Sequence, residues 1–163
     1  MYQTKIIDNF LEKPTFDFLY DMVSSFSFPY FLQKKINTNQ NDTVNDCYFT
    51  HTLFNNNSTN SEYFKFFIPL FEKIKIKSLI RAKVNFYSKD EKIIIHPPHS
   101  DYDFEHKGFI LYFNTCDGFT LLNDDTKIES ISNRALFFDP SKNHSSTNCT
   151  NSIGRFNINI NYF

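Results

Sequence analysis

The sequence predicts a mainly β chain with flanking helices. Its second half forms an antiparallel sandwich or barrel. Three observations carry this. From residue 79 onward the apolar pattern has a period of two, the repeat of a strand with two different faces. The alternating runs are short and separated by turn-forming clusters, Asp117-Gly118, Asn123-Asp124-Asp125 and Asp139-Pro140. The helical period occurs only in the first half.

Taken in order, residues 5–10 read as a first strand. Pro14-Thr15 opens a helix to about Ser24, with Phe16, Leu19, Tyr20 and Val23 on one face. Residues 26–32 read as extended, and the Asn-rich residues 36–47 as a loop or lid. Residues 47–54 form a strand, and residues 55–60 a polar, mobile loop. Ser61 caps a helix that turns Phe64, Phe67, Ile68 and Phe71 inward, and Pro69 kinks or restarts it. Ile80, Ala82, Val84 and Phe86 then alternate with Arg81, Lys83, Asn85 and Tyr87. Residues 93–95 are an apolar, strand-like run before Pro97 and Pro98. Phe109, Leu111 and Phe113 alternate with Ile110 and Tyr112, and residues 119–122, 127–130 and 134–138 add short strands. In the last strand Phe156, Ile158 and Ile160 alternate with Arg155, Asn157 and Asn159. Alternation alone favours an ordinary sheet with one wet face. The sharper reading is that the polar faces line a cavity, and Arg155, close after His144, favours it.

The bulk composition narrows the classes. The 163 residues suit one domain, and a net charge of −1 leaves no basic footprint for nucleic acid. Cys47, Cys116 and Cys149 lack Cys-x-x-Cys spacing, which points to a reducing compartment rather than a disulfide framework. With no apolar leader and no run of membrane-spanning length, the expected location is cytoplasmic.

The chemistry centres on His99-Ser100-Asp101. On extended chain, residues two apart face the same way, so the imidazole and carboxylate can chelate a divalent ion from one side. With His144 the set is two histidines and one carboxylate, a pattern that leaves open positions on Fe(II). His51, His96 and His106 are not expected to be ligands, although His106 lies close enough in sequence to touch substrate.

Five stretches in order resemble the 2-oxoglutarate (2OG) and Fe(II)-dependent oxygenases, most closely their prolyl-4-hydroxylase-like branch of small stand-alone bacterial and phage enzymes. They are His99-Ser100-Asp101, Phe109-Ile110-Leu111-Tyr112-Phe113-Asn114, Asn133 to Asp139, His144, and Arg155-Phe156-Asn157. The resemblance covers about residues 79–163. It implies a double-stranded β-helix, the cupin-like jelly roll, with the N-terminal helices packed on one sheet. Residues 1–78 would be support and loops, and 79–163 the metal- and cosubstrate-binding core of a single domain.

The resemblance further implies Fe(II) on His99, Asp101 and His144. Arg155 would bind the distal carboxylate of 2OG, joined by Tyr112, by Asn157 where the family often has serine, and by Tyr87. The implied reaction consumes 2OG and O2, with ascorbate as a candidate reductant, and hydroxylates an unactivated C–H bond with release of succinate and CO2. The substrate would be a small molecule or a peptidyl side chain, with neither nucleic acid nor membrane as partner. Two other readings are carried: an inactive jelly-roll binding module, and a cupin-type metalloenzyme that does not use 2OG.

Overall fold

The computed structural model describes residues 3–34 and 47–163. The chain runs β1 (Lys5–Ile7), α1 (Lys13–Val23), β2 (Phe31–Gln33), β3 (Tyr48–Asn55), β4 (Ser58–Thr59), a 3-10 helix (Glu62–Phe67), α2 (Ile68–Ile74), β5 (Leu79–Ser88), β6 (Lys107–Tyr112), β7 (Phe119–Leu122), β8 (Lys127–Glu129), β9 (Arg134–Phe138), β10 (His144–Ser146) and β11 (Gly154–Tyr162). Among the described residues the strands form two antiparallel sheets. The major sheet has the order β1-β9-β6-β11-β5-β3-β2, with β4 paired to β3, and the minor sheet has the order β10-β7-β8. This is the predicted jelly roll, with helices on one face of the major sheet.

The period-two pattern explains the layering. One face of the major sheet presents Ala82, Val84, Phe109, Leu111, Ile158 and Ile160, and these pack with Phe16, Leu19 and Val23 of α1 and Leu70 and Phe71 of α2. The opposite face turns toward the minor sheet. There Ile110, Tyr112, Leu122, Ile128, Leu136 and Phe138 make a smaller core between the two sheets. The polar alternates of β5 and β11 share that inner face, so the cavity reading of the alternation holds.

Helix α1 begins where Pro14 supplies a fixed φ and needs no backbone donor. It ends at Ser24, whose hydroxyl donates to the Tyr20 carbonyl at 2.7 Å. Ser61 caps the next helical stretch by accepting from the Tyr63 amide at 3.1 Å. That stretch starts as a 3-10 turn and becomes α-helical at Ile68, with Pro69 in the first α turn, so the proline restarts the helix. No helix of the described residues is long and apolar enough to cross a membrane.

Four local expectations are corrected. Of residues 26–32, only Phe31–Gln33 is a strand; turns precede it and the Phe26 side chain is fully exposed. Ile68 lies at the restart and is 42% exposed rather than inward. Residues 55–60 form a tight hairpin between β3 and β4 rather than a loose loop. Asn56 and Asn57 take φ of 52° and 55°, a left-handed pair that asparagine tolerates and that matches strand twist. Ile93 to Ile95 do not form a strand, because the prolines at 97 and 98 lack the amides a continuing ladder needs. The segment instead crosses the minor sheet by isolated bridges, Ile95 to Thr147 and His99 to His144. The lid expected within residues 36–47 falls almost entirely outside the described residues.

Candidate metal and cosubstrate site

The bridge between His99 and His144 sets the geometry of the first cluster. The two backbones exchange both hydrogen bonds, at 3.0 and 2.9 Å, so the residues lie directly opposite and face the same way. Their rings are 4.7 Å apart. Asp101, two residues along, is held by its amide on the Pro140 carbonyl at 2.9 Å. One ligand atom from each of His99, Asp101 and His144 falls within 4.8 Å of the others. His99 Nδ1 faces the Pro97 carbonyl at 3.4 Å, and His144 Nδ1 faces the Lys142 carbonyl at 3.0 Å. A carbonyl only accepts, so each Nδ1 carries the proton and each Nε2 keeps its lone pair for a metal.

The charge state of the cluster suits a cation. Burial, helped by His144, lowers the His99 pKa to about 4, which keeps that imidazole neutral. Burial alone would raise the Asp101 carboxyl, but Arg81, His144, Lys83 and the Asn161 hydrogen bond together outweigh it and hold the carboxylate well below its usual range. Arg81 Nη2 lies 2.7 Å from Asp101 Oδ1, and Asn161 Nδ2 donates to Oδ2 at 2.9 Å. The same Asn161 amide reaches His106 Nε2 at 3.2 Å. His106 therefore belongs to the network behind Asp101. His96 stacks on Tyr87 at 5.4 Å, and His51 bonds to the Pro29 carbonyl and the Ser61 hydroxyl, both outside the cluster.

Register brings the second cluster to the same cavity. Strand β11 lies between β5 and β6, so Arg155 pairs with Tyr87, and Asn157 with Asn85 and Tyr112. Arg155 is fully buried. Its Nη1 donates to the Thr147 carbonyl at 3.1 Å and its Nη2 to Thr120 Oγ1 at 2.9 Å. The guanidinium lies 5.5 Å from the Tyr87 ring and 5.3 Å from the Tyr112 ring. Nε has no hydrogen-bond partner, and among the described residues no carboxylate forms an ion pair with this arginine. An unpaired buried cation is costly, so the site's chemistry fits an incoming carboxylate.

Tyr112 is completely buried, and its hydroxyl donates to Thr120 Oγ1 at 2.8 Å. The Thr120 oxygen accepts from both Tyr112 and Arg155, which fills its two lone pairs and leaves its own proton free to donate into the cavity. Asn157 accepts from Asn85 Nδ2 at 3.0 Å. Lys83, Asn85, Tyr87, Thr120, Arg155 and Asn157 all line the cavity with the metal cluster. The cavity is narrow, about 30 Å3, room for roughly one water. A five-carbon diacid does not fit this volume, so lining side chains must turn aside for one to enter.

Sequence reasoning passed over Arg81, Thr120, Asn161 and Lys83. Their polar places in alternating strands were the available signal. Gly118, read as a turn residue, has a second role. A Cβ there would stand 2.7 Å from Arg155 Cδ and closer still to the Asn148 carbonyl, so only glycine lets the chain pass the arginine stem.

The sequence matches no family model and no curated protein. Solved structures do match. A viral collagen prolyl hydroxylase from Paramecium bursaria Chlorella virus-1, in its 2OG complex, superposes with a TM-score of 0.63 at 14% identity, covering 98% of this chain and 96% of that one. The chain has the fold of the prolyl-hydroxylase-like 2OG oxygenases. A Trichoplax adhaerens prolyl hydroxylase, in complex with a hypoxia inducible factor peptide fragment, gives 0.68 at 18% identity over 98% of this chain and 83% of that one. A Burkholderia pseudomallei oxidoreductase of the 2OG-Fe(II) oxygenase family gives 0.67 at 10% identity over 98% and 84%.

Proposed function

We propose that this protein is an Fe(II)- and 2OG-dependent dioxygenase that hydroxylates an unactivated C–H bond. His99, Asp101 and His144 would hold the metal, and Arg155, backed by Thr120, Tyr112, Tyr87 and Asn157, would hold the distal carboxylate of 2OG. The observation that carries the reading is Arg155, a fully buried cation with no carboxylate partner among the described residues, in the cavity that also holds two histidines and an aspartate.

Bound there, Fe(II) with 2OG and O2 supplies the oxidising chemistry, with release of succinate and CO2. The protein's own part is positional. The neutral imidazoles and the Asp101 carboxylate offer three ligands from one side and leave the other side open. Arg81 and Asn161 hold the carboxylate in place. The guanidinium fork matches a carboxylate with parallel hydrogen bonds, and Thr120 adds a third donor. A groove of about 660 Å3 adjoins His144, lined by Asp103, Glu105, Asp139 and Lys142 among others, and would admit a peptidyl or small-molecule substrate. The peptide bound by the Trichoplax enzyme supports the peptidyl alternative.

The test is an anaerobic titration with Fe(II) and 2OG, followed by a succinate assay in air. The expected result is a metal-to-ligand charge-transfer band that needs both components, then succinate formation that needs O2. Metal binding without any response to 2OG would favour a cupin-type enzyme. No metal binding would favour a binding module.

A further inference from the structure

The cavity holds a second cation that the proposed function does not use. Lys83 lies on the inner face of β5, directly across from Asn159 of β11. Its ammonium donates to the Tyr48 hydroxyl at 3.3 Å and lies 5.5 Å from that ring. Among the described residues no carboxylate forms an ion pair with it. Burial, then the charge of Arg81, pushes its pKa down to about 8, against a smaller opposing pull from Asp101.

The charges around the cavity can be counted. Three cations, Arg81, Lys83 and Arg155, stand against one carboxylate, Asp101. Arg81 is spent on Asp101 at 2.7 Å. Two cations remain that form no ion pair with a carboxylate among the described residues, and a divalent ion on the histidines would add to the excess. The two are spaced along one sheet face. Asn159, opposite Lys83, is four residues beyond Arg155, which is roughly 13 Å at about 3.3 Å per residue. Two long side chains can close most of the difference between that and the roughly 7 Å span of a five-carbon diacid. Lys83 stands at the metal end: its neighbour Asn159 reaches toward Asp101, and its charge acts on His99 and Asp101.

We propose that Lys83 and Arg155 form a two-ended clamp for a dicarboxylate, in which Lys83 takes the carboxylate nearer the metal and Arg155 the distal one. The clamp deepens the cosubstrate assignment and rests on it. It makes Lys83 a specificity-determining residue that favours dicarboxylates over monocarboxylates by holding the second carboxylate. To close on a ligand the ammonium leaves Tyr48 and turns toward the carboxylate, while other lining side chains turn aside to make room.

The experiment measures binding of glutarate and of butyrate to the metal-free full-length protein by NMR titration. Both lack the 2-oxo group, so neither needs the metal to bind. The parent should prefer glutarate. Lys83→Met should weaken glutarate about 10- to 100-fold, the loss expected for one charge-assisted hydrogen bond, while leaving butyrate unchanged. Lys83→Arg, which keeps the charge, should keep the preference. Arg155→Gln should weaken both ligands. The clamp is overturned if Lys83→Met binds glutarate as the parent does, if it weakens glutarate and butyrate alike, or if Lys83→Arg loses the preference as fully as Lys83→Met. Loss of both ligands in Arg155→Gln with none in Lys83→Met would refute the role of Lys83 and leave the cosubstrate assignment standing. Absence of Co(II) binding at the histidines would instead remove the metal assignment and leave the clamp to its own result.

Discussion

His99 and His144 are joined backbone to backbone, amide to carbonyl in both directions, at 3.0 and 2.9 Å. This one bridge brings a loop that follows two prolines against a short strand of the minor sheet, and it places two imidazoles 4.7 Å apart. Because the bridge uses only main-chain atoms, either side chain can be removed without undoing it. His99→Ala and His144→Ala should therefore fold, yet lose Co(II) affinity by more than the roughly 100-fold that removal of an outer partner costs. Ligand-field absorption of the Co(II) form measures this, and unchanged affinity in both variants would dismiss the cluster as a metal site.

Arg81 should matter more to the metal-free protein than to the metal-bound one. Its guanidinium is the close counter-ion of a carboxylate only 3% exposed. Arg81→Met leaves that charge buried and unpaired, with a loss of about 3–5 kcal/mol in urea unfolding. A divalent ion offers Asp101 a replacement partner, so saturating Co(II) should restore part of the loss. Equal destabilisation with and without metal would show that Arg81 acts only by packing.

At the proposed cosubstrate end the expected order is Arg155, then Thr120, then Tyr112. Arg155→Ala should weaken 2OG by about 3–5 kcal/mol, several hundredfold or more, because it removes the partner of a buried carboxylate. Thr120→Val removes both the support of Arg155 and one donor to the ligand, about 1.5–3 kcal/mol. Tyr112→Phe removes a neutral hydrogen bond to Thr120, about 0.5–1.5 kcal/mol. The charge-transfer band under anaerobic titration reads all three. A Tyr112→Phe effect larger than that of Thr120→Val would mean that the tyrosine, not the threonine, meets the carboxylate.

The metal-free protein should be acid-labile in two stages. His99 titrates at about 4 in the native state against 6.5 in an unperturbed chain. Between those values the unfolded chain holds a proton that the native state does not, so stability falls as pH drops from about 6.5 to about 4, by about 3 kcal/mol. Asp101 is depressed from 3.8, so the unfolded chain again gains a proton first and a second loss sets in below about 4. Denaturant unfolding from about pH 7 down to about pH 4 follows the first stage, and His99→Gln should flatten it. A parent protein whose stability is level across that range would contradict the buried, neutral His99.

Much of this was legible from local pattern. A period of two is a property of neighbouring residues, so strands β5, β6 and β11 could be placed before their partners were known, and the apolar alternates named the core. The spacing of His99 and Asp101 was readable for the same reason, since residues two apart on extended chain share a face whatever surrounds them. The hairpin at Asn56-Asn57 was missed because left-handed geometry is a tolerance of asparagine rather than a demand, and the apolar run at 93–95 misled because periodicity cannot register two following prolines.

What the sequence determined by itself was the class of fold, the inward face of each long strand, and the residue types available for a metal and a carboxylate. What only the tertiary structure decided was who stands beside whom. Arg81 meets Asp101, Thr120 joins Tyr112 to Arg155, Asn161 ties Asp101 to His106, and Lys83 forms no ion pair with a carboxylate among the described residues. These relations depend on register between strands far apart in the chain and on burial that strips water from the charges. A one-residue slip of β11 would turn Arg155, Asn157 and Asn159 into the apolar core and point Phe156 and Ile158 at the His99, Asp101 and His144 cluster, with the same sequence and no such cavity.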